Sequence, residues 1–401
     1  MVVRIPASLC AACKGRRSLC GLPKCPLLER QRAMKPTLNI SGDVFGASPP
    51  SVVVGESGYP NLNILIGVPP GKTGNESRVF EDPINWWGAL QLSDILGLRA
   101  SMIASSTRLN AREPLKLYER ELSVAASSTQ PIDLEVKVAK PPATGVTLDP
   151  LDLPHPPLVK AIDIKVDGNP VLPRKLEQLI FDDVKADRGV LELAEAGVDI
   201  YTIIRAFSMG LMGEKRRRRL VPTRWAITAV DTIIGNDLLR RVRSLPWVPT
   251  HELYFTEYLS NRFAVLISPA PFSVAWVEIW HPFTPWGGEG EPAIVINREN
   301  WRGDYSFLDG GYQAARLSLL KYLESRGRSG SIIIIREVLP EYYVTVGNWH
   351  IRESMSHVFQ NMVAKGDEAI TTIKALFRHD VSSILKQLLP KQESILKYLW
   401  G

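Results

Sequence analysis

Cysteine is scarce in this 401-residue chain: there are four, all within the first 25 residues. That distribution excludes a disulfide framework spread through the fold. Long apolar runs are missing too. The most apolar stretch, Ala264 to Trp280, is broken by Pro269, Pro271 and Glu278. It therefore lacks the ~20 uninterrupted apolar residues of a membrane helix, and no membrane partner is expected. The N-terminus has no signal-peptide pattern, because its short apolar pieces run at once into cysteines and charges, so a cytoplasmic location is expected. No catalytic signature stands out. Gly67-Val68-Pro69-Pro70-Gly71-Lys72-Thr73 imitates a phosphate-binding P-loop, but it is one residue short, its prolines remove backbone donors, and no helical pattern follows. Gly55-Glu56-Ser57-Gly58 imitates a nucleophile elbow and lacks the glycine at its fifth position.

What is present suffices for a core. Hydrophobic residues make up 45% and charged residues 22% of the chain, ordinary for globular proteins, and the length allows two or three domains. The net charge of +6 is unevenly spread. Residues 1–35 carry eight lysines and arginines against Glu29 alone, and residues 205–243 carry ten against Glu214, Asp231 and Asp237. The remainder of the chain is acidic. Two basic islands on an acidic body point to a polyanionic partner, with DNA the expected one, although solvated faces give the same count.

The cysteines, Cys10, Cys13, Cys20 and Cys25, follow the spacing C-x2-C-x6-C-x4-C. Such spacing suits a metal knuckle: Gly15 permits a tight turn after the first pair, and four thiolates close a tetrahedral site with no open position. Zn2+ is the expected ion and an iron–sulfur cluster the alternative. Lys14, Arg16, Arg17 and Lys24 lie between the ligands, where they would present charge to phosphate. At the other end, the pattern from Lys365 onward reads as helix until Pro390 interrupts it. The sequence that follows resembles the PIP peptide by which proteins bind the sliding clamp PCNA. Gln392, Ile395 and Tyr398 occupy its first, fourth and seventh positions, and Leu399 stands where a second aromatic belongs. Residues three apart project together in a 3₁₀ turn, so Ile395 and Tyr398 would form one apolar plug. A last amphipathic turn packed on the body is the alternative.

With these ends, three internal motifs resemble the archaeal Nre family of DNA-repair proteins. They are Pro50-Ser51-Val52-Val53-Val54-Gly55 leading into Gly58-Tyr59-Pro60-Asn61-Leu62-Asn63, then Leu220 to Asp231 with Val221-Pro222-Thr223-Arg224-Trp225 at its heart, and Gly347-Asn348-Trp349-His350-Ile351-Arg352-Glu353. The resemblance implies a part in DNA-damage repair and binding to PCNA through the terminal peptide. It brings no catalytic residues.

Between these motifs, residues 50–68 read as strand–turn–strand, with Tyr59, Asn61 and Asn63 at a corner or a pocket. Residues 125–175, rich in proline around Pro154-His155-Pro156-Pro157, read as an extended crossing or surface arm. Asp199 is expected to cap a helix over Ile200 to Met212 that runs into Lys215, Arg216, Arg217, Arg218 and Arg219. Four successive arginines exceed what a helix dipole needs, so a phosphate-facing loop is expected. On a following helix, Trp225, Ala229 and Ile233 form the expected apolar stripe. Arg224, Thr228 and Asp231 line another face, as an anchor or an internal network. Strands are expected at Phe263 to Ile267, Val274 to Trp280, Ala293 to Ile296, Ile332 to Ile335 and Tyr342 to Val346, and a helix at Tyr312 to Leu323. On a helix from Trp349, His350, Glu353 and His357 have a spacing that can bind metal, against which Arg352 and Glu353 as a structural ion pair is the simpler reading.

The expected fold is α+β: a small four-cysteine metal knuckle (1–35), a mixed α/β core (36–285), a C-terminal α/β lobe ending in a helix (286–389), and a peptide tail (390–401). Two functions remain open. One is a repair adaptor held at the clamp. The other is a clamp-delivered enzyme acting on nucleic acid or nucleotides, its pocket drawn from Tyr59, Asn61, Asn63, Arg224, Asp231, Arg352 and Glu353. Asp182, Asp183 and Asp187 offer a carboxylate cluster, on a polar stretch where solvation explains them.

Overall fold

A computed structural model describes residues 42–119, 121–138, 158–287 and 290–390, together with Cys13, Leu19, Cys25 and Leu28. The fold is α+β, as expected, and is organised on two six-stranded sheets. The chain divides into two compact units. The first runs to Gly235 and takes in Tyr343–His350; the second holds Asn236–Tyr342 and resumes at Ile351. This division differs from the boundary expected near residue 285. The strands on either side of that point, Ser273–Trp280 and Ala293–Glu299, pair antiparallel along their whole length.

The sheet of the first unit has the order β1-β5-β6-β4-β3-β2. Its strands are β1 (Val44–Ser48), β2 (Val52–Val54), β3 (Asn61–Val68), β4 (Ile103–Asn110), β5 (Ile132–Val138) and β6 (Leu158–Asp167). The strand–turn–strand expected over 50–68 is present, with Val52 opposite Ile66. Along β3, Leu62, Ile64, Ile66 and Val68 are buried while Asn61 and Asn63 face solvent, the two-residue period of a strand with one covered side. The described parts of 125–175 are not extended surface chain but include paired strands. Ile132, Leu134 and Val136 alternate with charged neighbours, and that period prevails over proline content, so β5 and β6 pair with Leu134 opposite Val166. Pro154 to Pro157 lie outside the described residues.

A 3₁₀ segment, Gly74–Glu81, precedes α1 (Pro83–Trp86) and α2 (Leu92–Ser101). The loop before it confirms that the P-loop likeness is superficial. Gly71 N donates to Phe45 O at 2.9 Å and Ala47 N to Lys72 O at 2.6 Å, so this backbone is bound to β1. The 3₁₀ segment itself was not expected. Then come α3 (Leu115–Glu119), α4 (Leu122–Ala126), α5 (Arg174–Phe181), α6 (Ala186–Glu195), α7 (Ile200–Ser208) and α8 (Thr223–Val242). Asp199 caps α7 by accepting from Thr202 N at 2.9 Å. The helix stops at Ser208 rather than Met212, because Gly210 turns back at φ +67°. A Cβ there would stand 2.7 Å from the Arg219 carbonyl oxygen, so only glycine fits. On α8 the buried line is Ala226, Val230, Ile234, Leu238 and Val242, one position on from the expected stripe, and Trp225 is exposed.

The sheet of the second unit has the order β10-β9-β11-β8-β7-β12. It comprises β7 (Glu252–Tyr258), β8 (Asn261–Ser268), β9 (Ser273–Trp280), β10 (Ala293–Glu299), β11 (Ser331–Val338) and β12 (Met362–Lys365). Strands β9 and β11 run parallel, and the other pairs are antiparallel. Helices α9 (Gly310–Ser325), α10 (Trp349–Val358), α11 (Asp367–Ala375) and α12 (Ser382–Leu388) complete it. One sheet face, including Leu253, Leu266, Val277, Ile279 and Ile335, packs on Ile373, Phe377, Val381 and Leu385 from the α11–α12 region. Each such side chain contributes about 1.5–3 kcal/mol on burial.

Two expectations here are corrected. Helix does not begin at Lys365, since Met362–Lys365 pairs with β7, and a break separates α11 from α12. Nor do residues Tyr342 to Val346 form a strand. They are apolar enough to be buried, yet among the described residues they take no place in either sheet. The segment from Tyr343 instead serves the first unit: Val346 O accepts from Arg99 Nη1 at 2.8 Å, and Trp349 packs edge-on against Trp86 at 5.4 Å. Among the described residues no helix is long and apolar enough to cross a membrane.

Candidate functional site

The arginine run is split by the fold. Lys215, Arg216, Arg217 and Arg219 are exposed, whereas Arg218 is buried. Its Nε donates to Gly213 O at 2.9 Å, Nη1 to Ile180 O at 2.7 Å, and Nη2 to Leu179 O and Asp182 O at 3.1 and 2.8 Å. These carbonyls close the C-terminal end of α5, where unpaired acceptors and the helix dipole both favour a cation. Arg218 is therefore a structural cap, correcting the expectation that all four arginines face phosphate. Asp183, from the carboxylate cluster, accepts Lys215 N at 2.6 Å and fixes the same loop.

The seven pocket candidates do not gather in one place within either unit. Tyr59, Asn61 and Asn63 are exposed, as is Arg224, which meets Glu56 at 3.5 Å. Asp231 is fully buried, so the expected Arg-Thr-Asp line is not a surface feature. Arg352 and Glu353 are buried and belong to the second unit. His350 Nδ1 lies 3.1 Å from Gly347 O, and His357 Nδ1 lies 2.8 Å from Glu353 O. Among the described residues no group of three or more histidine, cysteine, aspartate or glutamate side chains could hold a metal. Cys13 is buried and Cys25 partly buried. The expectations for Cys10, Cys20, Lys14, Arg16 and Arg17, and for Gln392, Ile395, Tyr398 and Leu399, fall outside the described residues.

The second unit holds a set of wholly or partly buried ion pairs on the sheet face beneath α9, opposite the apolar face. Glu299 and Arg316 are both fully buried, with Nε–O distances of 2.8 and 3.0 Å and Nη2–O of 2.7 Å, and the Tyr312 hydroxyl donates to the same carboxylate. Burial, then the Glu299 charge, pushes the Tyr312 hydroxyl well up. Glu252 receives Arg326 and the Tyr254 hydroxyl, the latter at 2.8 Å. Arg336 donates Nη1 to Glu278 at 2.6 Å and both Nε and Nη2 to Asn261 Oδ1, with its guanidinium 4.8 Å from the Trp280 ring. Residue spacing alone singles out none of these pairs. The available signal was a charge inside an apolar run: Glu278 in Ser273–Trp280, and Arg336 after four isoleucines.

Glu278 differs from its counterparts. Burial raises its carboxyl above the ordinary range, Arg336 opposes this, and Asp309 adds to it. It lies near the C-terminal ends of parallel β9 and β11, and Asp309 caps the N-terminus of α9. On the same face Trp276 Nε1, Asn297 Oδ1 and both polar atoms of Gln313 are buried without a partner among the described residues. Chemically, a carboxyl held toward its protonated form can give or take a proton.

The N-terminal model of archaeal Nre proteins matches residues 19–287, and the C-terminal model matches residues 297–398. The chain belongs to the archaeal Nre family. It is 32% identical to DNA repair protein NreA of Archaeoglobus fulgidus over 97% of its own length and 98% of that protein. It is 30% identical to DNA repair protein NreB of the same organism, covering 92% of this chain and 93% of the relative. Against DNA repair protein NreA of Haloferax volcanii the identity is 29%, over 82% and 81% of the two lengths. No solved structure matches the chain.

The N-terminal match ends at residue 287, after β9, and the C-terminal match begins at residue 297, within β10, so the N-terminal region contributes β7, β8 and β9 to the sheet that the C-terminal region completes. The C-terminal match extends through Gln392, Ile395 and Tyr398.

Proposed function

We propose that this Nre protein is a DNA-repair factor brought to the sliding clamp by its C-terminal peptide, contacting DNA through its cysteine-rich N-terminus and its exposed cations. The observation that carries the reading is the terminal sequence. Gln392, Ile395 and Tyr398 keep the spacing of a clamp-binding peptide and begin just beyond Pro390, after the last described helix ends at Leu388. The relatives named as DNA repair proteins match the chain over most of its length, which supports the repair role. Lys215, Arg216, Arg217 and Arg219 remain the cations available to phosphate in the first unit's loop.

The N-terminal donor set fits a closed metal site. Cys10, Cys13, Cys20 and Cys25 supply four sulfur donors at knuckle spacing, and no disulfide joins the two described ones, Cys13 and Cys25. Zinc held there would supply the folding energy of a segment too short to build a core. Pull-down of the clamp by the full chain tests the recruitment. Gln392→Ala with Tyr398→Ala abolishes it while the thermal unfolding profile stays unchanged; undiminished capture removes the clamp from the account.

A clamp-delivered enzyme is the second reading, and Glu278 favours it. Its raised carboxyl sits near the C-terminal ends of parallel β9 and β11, where α/β proteins place ligands, with Asp309 acting on it and the buried Gln313 side chain without a partner among the described residues. Repair activity in extracts or cells that survives Glu278→Gln at full level, with the protein folded, eliminates this reading.

A further inference from the structure

The second unit carries an exposed tryptophan in an unusual mount. After β10 the chain makes a tight turn over Asn300 to Asp304. The Asn300 side chain accepts from Arg302 N at 2.9 Å and from Asp304 N at 3.1 Å, and Gly303 N returns to Asn300 O at 3.0 Å. An Asx turn of this kind fixes the backbone without help from Trp301. Gly303, at φ +94°, seats the turn on the end of α8, where a Cβ would come within 2.8 Å of Leu239 Cδ2. Trp301 itself stays 55% exposed. Two guanidinium groups lie by its ring, Arg302 at 5.3 Å and Arg243 at 6.0 Å from the centroid. Arg298, at the foot of the turn, is exposed as well.

Burying this indole would contribute a large apolar area, so leaving it out on a rigid turn among cations is costly unless something covers it. A protein partner's apolar pocket would strand the arginines. A duplex offers its phosphates but keeps its base faces stacked. A single strand offers both an unstacked base and the adjacent phosphates.

We propose that Trp301 is a base-stacking platform for single-stranded DNA, with Arg243, Arg302 and Arg298 holding the flanking phosphates. The proposal rests on the DNA-contact reading above and gives it a substrate form. An unpaired base lies against the exposed indole, and the neighbouring guanidinium groups add their own planar surfaces and charge. The rigid turn means that little ordering entropy is lost when the strand arrives.

Anisotropy titrations of the full chain against a labelled oligothymidine strand of about 12 nucleotides test it. Trp301→Ala weakens binding about tenfold and Trp301→Phe much less. Arg302→Gln weakens binding and reduces the salt slope by about 0.7. A strand with abasic sites through its centre binds the parent protein more weakly, and Trp301→Ala adds no further loss on that strand, a result that charge alone does not produce. Because the side chain is exposed, unchanged thermal unfolding accompanies the variants. Equal affinity of Trp301→Ala and the parent for the intact strand overturns the platform. If the parent binds duplex but no single strand, the platform falls and the DNA-contact reading stands; if it binds neither, both fall.

Discussion

In the first sheet, charge stays at the surface. Glu135 and Lys137 on β5 alternate with Leu134, Val136 and Ile132, and the apolar set is the deeply buried one. In the second sheet, β11 is buried at every position, Glu252, Glu299 and Arg336 lie inside the protein, and Glu278 is half-buried. A sheet covered on one side can give its charges to water; one covered on both must supply a partner for each. The two sheets therefore predict different responses to the same kind of mutation.

The largest effect is expected where a buried pair is halved. Arg316→Met leaves Glu299 enclosed without its counterion, and unfolding in urea should show a loss of about 3–5 kcal/mol. Adding Glu299→Leu should recover most of it, because two apolar groups of matching size avoid the desolvation penalty altogether. Failure of the double variant to recover would mean that the seam is held by more than its charges.

The next effect comes from the first unit and sharpens the contrast within one loop. Arg218→Ala removes hydrogen bonds to four carbonyls, three of them buried, and should cost about 2–3 kcal/mol. Arg216→Ser and Arg217→Ser should stay within about 0.5 kcal/mol while weakening DNA binding and its salt dependence. Equal destabilisation by all three would show that the loop does not divide as described.

A smaller, pH-dependent effect separates the carboxylates. Burial raises Glu252, but hydrogen bonds from Arg326 and Tyr254 outweigh it and leave the group below its ordinary value. A depressed carboxyl stabilises the fold above the unfolded pKa, near 4.5, and that contribution disappears as the pH falls through the folded pKa. Acid unfolding of Glu252→Gln should accordingly show a shallower acid limb than the parent. The smallest effect is at the surface: Arg188, 2.9 Å from Glu192, should change stability by less than about 0.5 kcal/mol when replaced by alanine.

Periodicity made much of this fold legible. The β2–β3 hairpin, the cap at Asp199, the strands around Val265, Val277 and Ile334, and the helix around Leu319 were all readable from residue spacing. What periodicity does not encode is which of two adjacent residues turns inward. It put Trp225 in the core where Ala226 belongs, and it treated Arg218 as equivalent to its neighbours. Apolar composition likewise announced burial at Tyr342 to Val346 without distinguishing a ladder from an irregular segment. The ion pairs of the second sheet depend on partners far apart in sequence, such as Glu252 with Arg326, which no local pattern exposes. Trp301 was missed for a related reason, since its neighbour Arg243 arrives from the end of α8.

Isothermal calorimetry between PCNA and the Nre chain tests the clamp assignment most directly. The account predicts micromolar binding by the full chain and by a synthetic peptide of residues 390–401, and no heat from a chain ending at Leu389. Equal binding by the shortened chain, or silence from all three, would contradict it.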